Sequence, residues 1–367
     1  MSDDTLPLHG GPDAQGAPLH DFSTNANACG PCPHTVAALQ CADPTRYPDP
    51  AYTALREQLA AFHGVARERI VLAGSASEFI ARITAAVAQG GRGAVEVPPL
   101  AYGDYARAAR AQGLSVSVSD TRAVSDGRAA PQPSSRRADV LRLVWACDPS
   151  TPLGITQPGL AARIDALPAS VPLVLDRAYE PLRLNGSSAL QARQLNRVWQ
   201  LWSPNKALGL TGVRGAYAIA PEGDAATQLH NRLLRLAPSW PLGAHAVAML
   251  QSWAGDDSQR WLAASLPTLR AWKADQQALC RELGWYVLDS DSNYFCAAWL
   301  PALGSVSPTD SLRALRAHGI KLRDCTSFGL PGHVRMGVRG PQSLAALGHA
   351  WKTVRDPGSE RRARCGR

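Results

Sequence analysis

The chain holds only four lysines, at 206, 273, 321 and 352, so an amine that condenses with a carbonyl group has few candidates. Lys273 and Lys352 fall in amphipathic stretches and read as solvated side chains, while Lys321 sits between apolar neighbours close to Arg323. Lys206 is different: it lies in WSPNKALGLTGVRGAY, just after the apolar run VWQLW, where its amine can project from a strand end into a cleft. Eight residues on comes Arg214, with Gly212 before it and Gly215 after it. Glycines let the backbone fold back on itself, so the guanidinium can come to lie near the lysine. A forked donor beside an amine suits a phosphate held next to an imine. Taken alone, a lysine in a glycine-rich loop is more often simply exposed.

This segment resembles the lysine segment of the fold-type I aminotransferases, which carry pyridoxal 5′-phosphate (PLP) on the lysine as a Schiff base. In that family a serine three residues before the lysine and an arginine eight after it bind the cofactor phosphate, and Ser203 and Arg214 match. Further pieces follow in the family's order. In DRAY, Asp176 ends the apolar run VPLVL and can pair with a protonated pyridine nitrogen, making the ring an electron sink, while Tyr179 can donate to the ring's phenolic oxygen. An aspartate there is equally suited to capping a helix. IVLAGSASEFI reads as strand, turn and helix start, so Ser75, Ala76 and Ser77 can offer N–H groups and hydroxyls to an anion, though Ser77-Glu78 is also an ordinary helix opening. Tyr102 in PPLAYGDY matches the aromatic ring that stacks on the pyridine; the plain alternative is a core tyrosine.

The two ends of the chain narrow the resemblance. LHGG, DFSTNANACGP, RYPDP and KLRDCTSFGLPGHVRMGVRGP look like the L-threonine-O-3-phosphate decarboxylases of cobalamin biosynthesis, relatives of the histidinol-phosphate aminotransferases. By that resemblance Arg323 and Arg335 hold the substrate's carboxylate and phosphate, in an order left open. His9 and Asn27 close over the substrate, and Tyr47 reaches the cofactor phosphate of a neighbouring subunit, which implies a homodimer with shared sites. Three functions follow from the resemblance: decarboxylation of L-threonine-O-3-phosphate to an amino alcohol phosphate, transamination of a phosphorylated or other anionic amino acid, or PLP binding in a non-catalytic partner protein. One position departs from the family. Its NPNNP-x-G loop reads Asp148-Pro149-Ser150-Thr151-Pro152-Leu153-Gly154 here, so Thr151 stands where an asparagine usually bonds the cofactor's phenolic oxygen.

The elements that must position these residues are an α/β framework. Short apolar runs (IVLAG, GAVEVPP, DVLRLVWAC, VPLVLD, RVWQLWS, GAYAIA) alternate with amphipathic stretches, the pattern of a mostly parallel sheet between helices. Polar residues gather at the strand ends, where open α/β sheets bind ligands. In AYTALREQLAAFHGV, Leu55, Leu59 and Phe62 recur at helical spacing before Gly64. The expected organisation is an extended arm at 1–45, a large PLP-binding domain at 46–230, a smaller α+β domain at 231–355 and a basic tail at 356–367, with RAVSDGRAAPQPSSRRAD as a polar loop.

At 367 residues with 45% hydrophobic and 19% charged side chains, the chain falls in the globular class. Its net charge of +8 comes from dispersed arginines, which argues against nucleic acid and suits small anionic ligands. The opening MSDDTLPLHGG lacks an apolar segment and no run is long enough to span a membrane, so a cytoplasmic location is expected. Eight scattered cysteines do not form a disulfide scaffold, and Cys29-Gly30-Pro31-Cys32 reads as a loop rather than a redox motif. No metal is expected.

Overall fold

A computed structural model describes residues 9–119, 140–299 and 307–355. The polar loop expected at 122–139 and the basic tail lie outside the described residues.

Seven of the strands form one sheet: β2 (Ile70–Ala73), β3 (Ala94–Val97), β4 (Ser115–Val118), β5 (Leu141–Cys147), β6 (Leu173–Asp176), β7 (Trp199–Trp202) and β8 (Ala216–Ile219), in the order β2-β8-β7-β6-β5-β3-β4. β8 runs antiparallel to both neighbours, and all other pairings are parallel. The central strands are buried along their whole length because helices cover both faces, which is why they read as unbroken apolar runs. One face packs Phe79, Trp145 and Trp199 beneath the helices α3 (Ala76–Ala88) and α4 (Gly103–Ala111). The other packs Tyr217, Met249 and Trp253 beneath α2 (Thr53–His63). Gly64, at φ 64°, ends α2 in the left-handed conformation that glycine adopts without a Cβ clash. Phe62 is half-exposed, off the buried Leu55–Leu59 stripe.

The arm is less extended than its composition suggests. Residues 33–40 form the helix α1 (Pro33–Gln40), opened by Pro33, whose fixed φ and missing N–H suit a first helical turn. Upstream, β1 (His20–Asp21) pairs in parallel with β11 (Ile320–Lys321). The arm is thus tied to the C-terminal part of the chain. Cys29 and Cys32 are free thiols, with Cys32 buried at the α1 N-cap.

The C-terminal part contains a four-stranded antiparallel sheet of β12 (Arg323–Asp324), β13 (Val334–Gly337), β10 (Tyr294–Trp299) and β9 (Trp285–Val287), as expected for an α+β unit. Trp285, Trp299 and Trp351 pack against one another with ring centres 4.8–4.9 Å apart. A helix of 27 residues, Asp256–Glu282, runs beside this sheet. Among the described residues no helix is long and apolar enough to cross a membrane.

Candidate active site

The carboxyl ends of the parallel strands share one edge of the large sheet. β5 ends at Cys147, β6 at Asp176, and β7 leads into Ser203 and Lys206. Because β8 runs the opposite way, Arg214, two residues before its first, arrives at the same edge. A cavity of about 1260 Å³ opens there, lined by all of these and by His9, Tyr102, Thr151, Arg323 and Arg335.

At the cavity floor Asp176 is buried. Its Oδ2 accepts from the Tyr105 hydroxyl at 2.7 Å and its Oδ1 from the Ala178 N–H at 3.0 Å. Burial pushes its pKa up, while the Tyr105 and Ala178 hydrogen bonds and the charge of Lys206 pull it back. It forms no ion pair among the described residues. Tyr105 is itself fixed by stacking on Trp145, ring centres 4.3 Å apart at 7°. The Lys206 Nζ donates to Ser203 Oγ at 3.1 Å and lies 5.4 Å from the centre of the Tyr179 ring. The lysine loop is braced from behind: the Asn27 N–H donates to the Lys206 carbonyl at 2.9 Å. Gly209, at φ 69°, approaches Gly30 so closely that a Cβ would lie 3.1 Å from the Gly30 Cα.

On the anion-binding side, Ser75 caps α3 by accepting from the Glu78 N–H at 3.1 Å, and Ala76 and Ser77 open the helix toward the cavity. Ser77 Oγ and the Tyr102 hydroxyl are 3.3 Å apart. Arg214 lines the same wall and forms no ion pair among the described residues. The buried Asn205 shapes its turn by donating from Nδ2 to the Thr211 and Val213 carbonyls, both at 3.4 Å.

Opposite stand two guanidinia. Arg323 and Arg335 are register partners across β12 and β13, and both lie over the Phe328 ring, at 4.8 and 5.2 Å. Arg335 donates to Thr151 Oγ1 at 2.8 Å and to the Ser23 carbonyl at 3.4 Å, and its Nε has no partner among the described residues. Arg323 donates to Ser327 Oγ and to the Asp324 carbonyl, both at 2.7 Å; burial and then the Arg335 charge lower its pKa. The His9 ring stands 6.2 Å from Tyr102, and burial lowers its pKa.

Two sequence expectations need correction. Asn27 does not face the cavity: its side chain donates to the Ala207 carbonyl and Ser265 Oγ and accepts from the Cys29 N–H, so it clamps the lysine loop. The neighbouring Asn25 lines the cavity instead, 2% exposed with neither side-chain polar atom partnered. Lys273 is not solvated but 4% exposed, donating to the carbonyls of Ser290 and Ser292. Tyr47, expected to reach a neighbouring subunit, is exposed, stacks on Trp240 with ring centres 4.5 Å apart and does not line this chain's own cavity.

Tyr105 and Asn25 were missed in the sequence. Tyr105 follows Tyr102 at helical spacing, and Asn25 precedes Asn27 by two, so each carried a faint signal. The residues fit PLP: a buried carboxylate with no cation of its own faces a cavity that also holds a lysine amine, a helix N-terminus and an arginine without a carboxylate partner.

Residues 17–346 match the family model described as aminotransferase class I and II. The chain belongs to this family. It is therefore a PLP-dependent enzyme with the aspartate-aminotransferase-like fold. This family member is 28% identical over 324 residues to the histidinol-phosphate aminotransferase of Haloferax volcanii, covering 87% of this chain and 84% of that protein. Among solved structures it is similar to L-threonine-O-3-phosphate decarboxylase from Porphyromonas gingivalis, with TM-score 0.71, 18% identity and 90% and 96% of the two chains covered. It is also similar to the histidinol-phosphate aminotransferase of Sinorhizobium meliloti in complex with pyridoxal-5′-phosphate, with TM-score 0.73, 20% identity and 95% of each chain covered.

Proposed function

We propose that this enzyme decarboxylates L-threonine-O-3-phosphate to (R)-1-amino-2-propanol O-2-phosphate, a step of cobalamin biosynthesis. The observation that carries the reading is the adjacent pair Arg323 and Arg335, two buried guanidinia on one cavity wall. Like charges side by side in a partly dry site repel, and a ligand with two anionic groups relieves that repulsion. A phosphorylated amino acid has both a carboxylate and a phosphate.

Ser75, Ala76, Ser77, Ser203 and Arg214 would hold the cofactor phosphate, Asp176 would pair with its ring nitrogen, Tyr179 and Thr151 would face its phenolic oxygen, and Tyr102 would pack against its ring. Bound there, PLP would supply an electron sink for the bond broken at the substrate α-carbon. Arg335, held by Thr151, and Arg323 fix the two substrate anions and so set which bond that is. Asn25 and His9 close the substrate side and limit water. Lys206 Nζ delivers a proton to the α-carbon after carbon dioxide departs. Two copies of the chain share their sites, with Tyr47 of each reaching the cofactor phosphate of the other.

The likeness to histidinol-phosphate aminotransferases favours a second reading, in which Lys206 Nζ removes the α-proton and the substrate amine is transferred. One assay separates the two. The purified enzyme with PLP and L-threonine-O-3-phosphate is expected to release carbon dioxide while the visible band of the lysine-bound cofactor persists. Conversion of the cofactor to its amine form without carbon dioxide would assign transamination, and neither signal would refute the threonine-phosphate reading.

A further inference from the structure

We propose that Lys273 is a positioning residue that sets the substrate-facing arginine strand in register with the cofactor-holding sheet. Lys273 belongs to the 27-residue helix Asp256–Glu282 and does not line the cavity, and its proposed role rests on the PLP site described above. It is 4% exposed and forms no ion pair among the described residues. Its Nζ donates to the carbonyls of Ser290 and Ser292, the second at 2.8 Å. Burial lowers its pKa to about 8, with the charges of Asp291 and Asp289 opposing. An ammonium in such a place is costly unless its donors are used, and here they fasten a single short segment.

That segment is a joint between four parts of the molecule. The Asp291 N–H donates to the Gly154 carbonyl at 2.7 Å, in the loop that carries Thr151. The Asp291 carbonyl accepts from the Leu184 N–H at 2.6 Å, and the Asn293 N–H donates to the Leu182 carbonyl at 3.1 Å, both just downstream of Tyr179. Asn293 Nδ2 donates to the Asn25 and Ala26 carbonyls at 3.3 and 3.2 Å. The Asn293 carbonyl accepts from the Val338 N–H at 2.8 Å, next to the strand of Arg335. The fit is close: Gly154 sits at φ 75°, and a Cβ there would lie 2.3 Å from Ser290 Oγ.

The helix contributes a polar stripe at spacing i, i+3, i+6. Arg270 Nε donates to the Leu184 carbonyl at 2.5 Å on the cofactor side, and Gln276 donates to the Gly337 carbonyl at 3.2 Å and accepts from the Arg339 N–H at 2.9 Å on the arginine side. Lys273 lies between them and holds the joint itself. The helix therefore works as a rail along which the two halves are registered. A displacement of about 1 Å at a reacting centre can cost on the order of a hundredfold in rate, so a remote anchor of this kind affects turnover without touching substrate.

The test compares the PLP-loaded enzyme with Lys273→Met, Lys273→Arg and, as a second route into the same joint, Ser290→Ala. Lys273→Met and Ser290→Ala are expected to speed amide exchange about tenfold in 150–156, 182–185 and 288–294, leaving β5 to β7 unchanged. They are also expected to raise KM for L-threonine-O-3-phosphate about tenfold while PLP affinity stays within about twofold, and Lys273→Arg to recover most of the loss. Exchange that is unchanged at the joint, or raised evenly across the chain, overturns the proposal. So does a loss of PLP affinity in step with substrate affinity. If the unmodified enzyme ignores L-threonine-O-3-phosphate, the substrate assignment fails, and the exchange pattern alone still decides the role of Lys273.

Discussion

Arg335 donates to the Thr151 hydroxyl at 2.8 Å, and this contact ties the strand carrying a cavity-facing guanidinium to the loop that follows β5. The sequence raised the question of whether a threonine, shorter than the family's asparagine, could reach the cofactor. In the fold its hydroxyl serves the arginine. Thr151→Val keeps the shape and removes the acceptor. A hydrogen bond to a charged group contributes about 1.5–3 kcal/mol, so affinity for the anionic amino acid is expected to fall roughly tenfold or more. The cofactor's visible band is expected to stay; titration with L-threonine-O-3-phosphate reads the change, and an unaltered affinity would remove Thr151 from the substrate site.

Tyr105 donates to Asp176 from a position locked by stacking on Trp145. Tyr105→Phe keeps the ring and leaves the buried carboxylate one donor poorer. The carboxylate's pKa, already raised by burial, rises further, so its charged form persists only to a higher pH limit on the acid side. PLP affinity is expected to weaken on the order of tenfold at neutral pH and the acid limb of cofactor binding to move upward in pH. Spectrophotometric titration with PLP across pH reads both, and a profile superimposable on the parent's would count against this role for the pair.

Asn25 buries both polar atoms of its side chain without a partner. A buried unsatisfied amide costs about 1–3 kcal/mol, so Asn25→Ala should leave the cofactor-loaded enzyme as stable as the parent or more so. Substrate affinity should move the other way and fall, because the unused amide is what the ligand would meet. Thermal unfolding and substrate titration on the same sample check the opposed signs. A loss of stability with intact affinity would make Asn25 a packing residue.

The apolar runs were legible because strands covered on both faces need no polar alternation, so β5, β6 and β7 stood out before their pairing was known. Lys206 and Arg214 were legible because their spacing is local, on one strand end and one turn. The orientation of Asn25 and Asn27 was not, since which of them faces the cavity depends on how the arm lies on the lysine loop, a contact with residues about 180 positions away. The burial of Lys273 was hidden for the same reason. Its helix face looks amphipathic in sequence, and only the distant carbonyls at 290 and 292 turn it inward. α1 escaped notice because eight residues rich in small side chains carry too few turns for a period to register.

His63 offers a test of pH dependence outside the active site. Trp253 Nε1–H donates to the Tyr217 hydroxyl at 2.9 Å, and the same hydroxyl is hydrogen-bonded to His63 Nε2, 2.7 Å away. Burial, aided by the charge of Arg177, lowers its pKa from 6.5 to about 4. A folded-state pKa below the unfolded one means that the unfolded chain binds more protons between those values, so stability rises with pH there. The contribution is fully present above about pH 6.5 and is lost as pH falls toward 4. Within that window the residue adds a slope of up to about 1.4 kcal/mol per pH unit. His63→Gln keeps a hydrogen-bonding partner for Tyr217 but cannot titrate, and is expected to flatten the slope by up to one proton. Urea unfolding at several pH values between 4.5 and 6.5 reads it, and equal slopes in the two proteins would show that His63 takes up its proton in the folded state as readily as in the unfolded one.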